Sequence, residues 1–118
     1  MAMKQQSGRR ARIEAQMQRV LSELIARQVK DPRVGNVTVT AVQLAADLGA
    51  ARVFVVPFAS KTDPRSVVEG LTAAAGFLRG ELGRRLQLRH APRLAFTFDD
   101  LPDRAAQLTH LIDDANKP

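Results

Sequence analysis

Cysteine is absent from this chain of 118 residues, as are tryptophan and tyrosine. Without thiols there is no disulfide framework, no thiolate nucleophile and no Cys-ligated metal, a composition that fits a reducing compartment. Aromatic residues amount to 4%, all five of them Phe, so the core has to be built from Val, Leu, Ile and Ala. Aromatic platforms for stacking bases are not expected. Histidine occurs twice, at His90 and His110, far apart and outside any metal-ligand or nucleophile motif. No apolar run approaches the ~18 residues of a membrane span, and Met1 to Arg12 lacks the apolar stretch of an export signal. The expectation is a cytoplasmic protein with no membrane partner.

What is present is enough for one folded domain, since hydrophobic residues make up 45% and charged residues 25%. Eighteen Lys and Arg against twelve Asp and Glu leave a net charge of +6, which points to an anionic partner. The excess is localised. Residues 1 to 35 carry eight basic and three acidic side chains, and residues 61 to 92 carry six and three. Residues 36 to 60, between them, carry one of each, and residues 93 to 118 carry three basic and five acidic.

Periodicity supplies the elements. Between about Arg9 and Val29 the apolar residues Ile13, Met17, Val20, Leu21, Leu24 and Ile25 recur at helical spacing, and Asp31-Pro32 ends the run. Asn36 to Leu44 and Ala51 to Phe58 are rich in β-branched residues and predict two strands. The short Asp47-Leu48-Gly49-Ala50 link between them predicts an antiparallel hairpin. Asp63-Pro64 forms an N-cap and first-turn proline for an apolar helical period running from Val67 to Leu86. That period is interrupted at Ala74-Ala75-Gly76, predicting two helices joined at a kink. Arg93 to Phe98 predicts a third strand, and Leu101 to Ala115 a weaker terminal helix. The expected order is α-β-β-α-α-β in a single domain over residues 9–112, with flexible ends at 1–8 and 113–118.

Two groups of cations carry the functional signal: Arg9, Arg10, Arg12, Arg19, Arg27, Lys30 and Arg33 around the first helix, and Arg79, Arg84, Arg85 and Arg89 along the third. Clustered arginines hold phosphates in bidentate forks, so nucleic acid is the expected partner. Gly76, Gly80 and Gly83 share one face of the third helix, which either lets a phosphate chain approach or lets the first helix pack closely. Asp99, Asp100 and Asp103 are the one acidic set that acid/base or metal chemistry could use, but their place after a strand favours helix capping.

A set of segments stands out along the chain: Val29-Lys30-Asp31-Pro32-Arg33-Val34-Gly35, Asp47-Leu48 with Ala51-Arg52-Val53-Phe54-Val55, Ala75-Gly76-Phe77-Leu78-Arg79, Leu82-Gly83, Leu86-Gln87-Leu88-Arg89, and Pro92-Arg93-Leu94 with Phe96 to Asp99. In these segments the chain resembles the bacterial ribosome-binding factor A family. The resemblance implies an α+β fold of the type II KH-like kind, with a three-stranded sheet and its helices on one face. It also implies an Ala-x-Gly kink, here Ala74, Ala75 and Gly76, in place of the Gly-x-x-Gly loop that clamps nucleic acid in ordinary KH domains. The implied activity is that of a non-catalytic assembly factor, monomeric and without cofactor or small-molecule substrate. Such a factor binds the free small ribosomal subunit and assists late maturation of its 16S rRNA, including the 5′ end, with a role in cold adaptation. Other readings are a ribosome-associated regulator, a general RNA-binding module of the same fold, or a metal-dependent RNA-processing enzyme using Asp99 and Asp100. After Asp100 the chain departs from the family pattern, with Leu101-Pro102-Asp103-Arg104-Ala105 where Ser and Gly are usual.

Overall fold

The computed structural model describes residues 2–57 and 63–99. The terminal helix expected over 101–115, Asp100 and Asp103 of the acidic set, and His110 lie outside them. Six elements follow in the predicted order: α1 (Ala2–Gln28), β1 (Val37–Leu44), β2 (Ala50–Pro57), α2 (Pro64–Ala73), α3 (Ala75–Arg85) and β3 (Arg93–Phe98). Helix α1 begins seven residues before the predicted Arg9, because its first turns carry no apolar stripe by which periodicity could detect them. It stops short of Asp31, whose carboxylate turns back to the backbone N–H of Arg33 at 2.9 Å and so competes with helix continuation.

The sheet runs β1-β2-β3, with β1 and β2 antiparallel as the hairpin predicted and β2 and β3 parallel. A parallel neighbour requires a crossover, which α2 and α3 provide. Along β2 the alternation is clean, with Ala51, Val53 and Val55 buried against the helices. Along β1 the alternation changes phase: Val39 is buried, and so are Val42 and Leu44. The register explains this, because Val39 pairs with Val55 and Ala41 with Phe54, leaving Thr40 as the extra residue of a β-bulge. Side chains of α1 hold this irregular strand. Gln18 Nε2 donates to the carbonyls of Val39 at 3.1 Å and Thr40 at 3.2 Å, and the Leu44 N–H donates to Glu14 Oε2 at 2.7 Å. Backbone groups at the sheet edge that would otherwise face solvent are thereby satisfied.

All three helices and the inner sheet face share one core, in which Met17, Leu21, Leu24, Val53, Val55, Val67, Leu71, Leu78 and Leu82 are inaccessible to solvent. The predicted cap of α2 is present: Asp63 accepts from the Arg65 N–H at 3.2 Å and from the Ser66 hydroxyl at 3.0 Å, with Pro64 in the first turn. At the kink the break falls on Ala74, whose φ of −90° and ψ of 0° any residue can adopt. Glycine's conformational freedom is therefore not what the kink uses. Gly76 already belongs to the first turn of α3, and the only glycine with positive φ among the described residues is Gly35.

Candidate nucleic-acid interface

The basic residues of α1 recur at Arg9, Arg12, Arg19 and Arg27, spacings that set them along the solvent side of a helix whose opposite side buries Met17, Leu21 and Leu24. Those of α3 cluster at its C-terminal end. The two groups meet through carboxylates. Arg27 Nη1 lies 3.5 Å from Glu23 Oε1, and Arg85 Nη1 reaches the same oxygen from α3 at 3.7 Å. Arg85 Nε also lies 4.0 Å from Glu81 Oε2, and Glu81 pairs with Arg84. Three arginines thus share two glutamates across the α1–α3 boundary. The excess positive charge is exposed, with the side chains of Arg27 and Arg84 both 76% accessible.

The other end of the same boundary is less charged. Gln28, Val29, Lys30 and Asp31 from the end of α1 and the following turn face Ala73, Ala74 and Phe77 around a hollow of about 280 Å³. Lys30 therefore lies beside the interhelical kink, while Glu23 lies beside Arg85, so α1 and α3 run antiparallel here. Arg9, Arg10, Arg12, Arg19, Lys30 and Arg89 form no ion pair with another described residue. Arg79 donates its Nε–H to the Ala91 carbonyl at 3.0 Å, which fixes the loop before β3 and partly occupies its guanidinium.

Arg33 behaves differently from its neighbours. Its guanidinium grips the Asp31 carboxylate, Nη2 to Oδ2 at 2.6 Å and Nε to Oδ1 at 3.0 Å. The hydrogen bonds from that guanidinium and then from the Arg33 backbone N–H hold the Asp31 carboxyl at about 2, below its ordinary 3.8. The Asp31–Val34 turn is closed by the Val34 N–H to the Asp31 carbonyl at 3.0 Å and packs on α2 at Gly70. A Cβ there would sit 2.7 Å from Val34 Cγ2, so only glycine lets the turn come this close. Arg33 is thus a structural residue first, which the charge count alone did not distinguish from the rest.

The glycine face divides as well. A Cβ built at Gly76 or Gly80 meets nothing within 4 Å, and one at Gly83 meets Ala91 rather than α1. Close packing on α1 is therefore not their role, and Gly76 and Gly80 leave bare backbone on the outer surface of α3. Phe77, on that outer surface, is 47% exposed. The signal was present in the sequence, since Phe77 falls off the Leu71, Ala74, Ala75, Leu78, Leu82 stripe.

Asp99 is 2% exposed and accepts a 2.6 Å hydrogen bond from the Thr40 hydroxyl, so the bulge residue of β1 reaches across β2 to the end of β3. Among the described residues no group of three His, Asp or Glu gathers as a metal site would require.

A three-stranded mixed sheet with its helices on one face, a helix pair broken at Ala74 and a cationic helical layer together define a KH-like domain with the surface charge that contact with a polyanion requires. The chain belongs to the ribosome-binding factor A family, whose model matches residues 9–112. It is 47% identical over 107 residues to ribosome-binding factor A of Thioalkalivibrio sulfidiphilus, covering 91% of this chain and 83% of that one. To the Pseudomonas putida protein of the same name it is 49% identical over 116 residues, covering 96% and 87%. Among solved structures it is similar to the crystal structure of ribosome-binding factor A from Thermus thermophilus, with a TM-score of 0.65 and 36% identity over 74% of this chain and 92% of that one. A Thermus thermophilus homology model fitted into a cryo-EM map of a complex between the 30S subunit and ribosome-binding factor A matches with a TM-score of 0.61 and 35% identity, over 73% and 90%.

Proposed function

We propose that this protein is a non-catalytic assembly factor that binds the free small ribosomal subunit in the cytoplasm, as a monomer and without cofactor or small-molecule substrate. It assists late maturation of 16S rRNA, including its 5′ end. The observation that carries the reading is the sharing of Glu23 and Glu81 among Arg27, Arg84 and Arg85, which joins the two basic segments into one ridge along α1 and α3. A ridge of this kind suits the phosphate surface of folded RNA, where affinity comes from cations that displace condensed counterions. Family membership and the 30S complex of the Thermus thermophilus relative support the same partner. We assign RNA contacts also to Arg9, Arg10, Arg12, Arg19 and Lys30 of the first basic segment and to Arg79 and Arg89 of the second, with the kink at Ala74, Ala75 and Gly76 at the Lys30 end of the boundary and Arg33 in a supporting place.

Sedimentation with separated ribosomal subunits, followed by footprinting of the bound rRNA, tests the proposal. Pelleting with the small subunit alone, with protection confined to a defined set of 16S nucleotides, is the expected result. Equal binding to both subunits, or none, would refute it. Cells depleted of the protein should accumulate 16S rRNA with an unprocessed 5′ end.

A further inference from the structure

Phe77 and Leu48 are the only large apolar side chains of the described residues that stand open to solvent, and Phe77 borders a concavity. Beside Phe77 the hollow is lined by the apolar side chains of Val29, Ala73 and Ala74, by the polar side chains of Gln28, Lys30 and Asp31, and by Gly70. Neither Gln28 nor Lys30 bonds to another described residue through its side chain, so a donor and acceptor amide and an ammonium are left at the edge of an aromatic surface. An aromatic face beside hydrogen-bonding groups that can meet the edge of a flat ring is how proteins hold an unstacked base. Lys30 and Asp31 both line the hollow, the Asp31 carboxylate being engaged by the Arg33 guanidinium, and the excess positive charge that suits RNA comes from the Arg27, Arg84 and Arg85 ridge along the same two helices. From Phe77 to Arg84 is seven residues of one helix, about 10 Å along its axis, so one bound strand can contact both.

We infer that Phe77 and the adjoining hollow form a stacking site for one unpaired nucleobase of single-stranded RNA, its backbone following the arginine ridge. The inference rests on the assembly-factor reading and specifies which kind of RNA element that surface takes.

The test uses the full chain with Phe77→Ala, Phe77→Leu and Phe77→Trp, each checked for an unchanged melting temperature. The probes are a short oligoadenylate, the same strand paired as a duplex, and isolated small subunits. Phe77→Ala should weaken oligoadenylate binding by about 5- to 150-fold, the range that stacking of one base on an aromatic side chain supplies. Phe77→Leu, which keeps apolar bulk but has no π face, should fall nearly as far. Phe77→Trp should retain binding and, as the chain's only tryptophan, should lose fluorescence on adding the single strand but not the duplex. Oligoadenylate affinity unchanged in Phe77→Ala, or restored in Phe77→Leu, would overturn the inference. So would loss of subunit binding in Phe77→Ala with no fluorescence response to RNA, which would assign Phe77 to a ribosomal protein contact instead. If the unaltered chain fails to bind small subunits, the assembly-factor reading falls, and this inference with it. Normal subunit binding with indifferent Phe77 variants removes this inference alone.

Discussion

Among the described residues arginine meets carboxylate at two places, and the two balance their charge differently. In the Asp31–Val34 turn one guanidinium is matched to one carboxylate in a bidentate grip, and the turn packs on Gly70. Along α1 and α3 three guanidiniums share two carboxylates, so the cations outnumber the anions, and two of the three side chains are mostly exposed. The first arrangement uses up its cation to fix a backbone. The second keeps an excess available to another molecule, with the carboxylates aligning the arginines that they only partly neutralise. Net charge counts both kinds of arginine alike, and only their partners tell them apart.

The comparison breaks most completely if the layer beneath the ridge is removed. Leu24 is fully buried in the core under α1, and Leu24→Ala should cost about 2 to 5 kcal/mol, which thermal or urea unfolding will measure. A loss well under 1 kcal/mol would mean that α1 docks by another face. Next in size, Gly70→Ala should cost about 1 to 3 kcal/mol, because the new methyl overlaps Val34 and presses on the turn. Its RNA affinity at temperatures where it stays folded should change little, since the turn supports the ridge rather than forming it.

Why these distinctions were only partly legible in the sequence follows from what each depends on. The element order came through because α1, α2 and β2 each bury one face with a clean period, and because Asp63-Pro64 and Asp31-Pro32 mark their ends by local chemistry. The bulge at Thr40 did not, since an extra residue in β1 shows only when the strand is laid against β2. Nor did the parallel pairing of β3, which depends on where the α2–α3 crossover returns. At the candidate site, the arginine clusters and the kink were readable as composition and interrupted period. The Asp31–Arg33 grip and the use of Glu14 and Gln18 to hold β1 were not, because they depend on distances between side chains.

A smaller effect concerns helix ends. Gln87 follows α3 with a positive φ of 52°, its N–H directed to the Arg84 carbonyl at 3.3 Å and that of Leu88 to Gly83 at 2.9 Å. Glycine is the residue favoured at such a C-terminal position, so Gln87→Gly should stabilise the fold by about 1 kcal/mol. Calorimetry will show whether the sign is right. The smallest effect is that of acid on the turn. The Asp31 carboxyl is depressed to about 2 from 3.8, so its contribution is complete above the unfolded value and is lost as the pH falls through the folded one. Between about pH 4 and pH 2, Asp31→Asn should therefore lose less stability than the unaltered protein does. Equal loss would show that the grip on Arg33 does not contribute.

The division between a self-satisfied turn and an open ridge is tested most directly by the salt dependence of small-subunit binding in three single variants, Arg12→Ala, Arg84→Ala and Arg33→Ala. Each phosphate contact contributes about −0.9 to the slope of log affinity against log salt on duplex DNA, with a comparable value for folded RNA. Arg12→Ala and Arg84→Ala should each lower the magnitude of that slope by roughly one unit, while Arg33→Ala should leave it unchanged and instead lower the melting temperature. A slope that falls equally in all three, or in Arg33→Ala alone, would contradict the division.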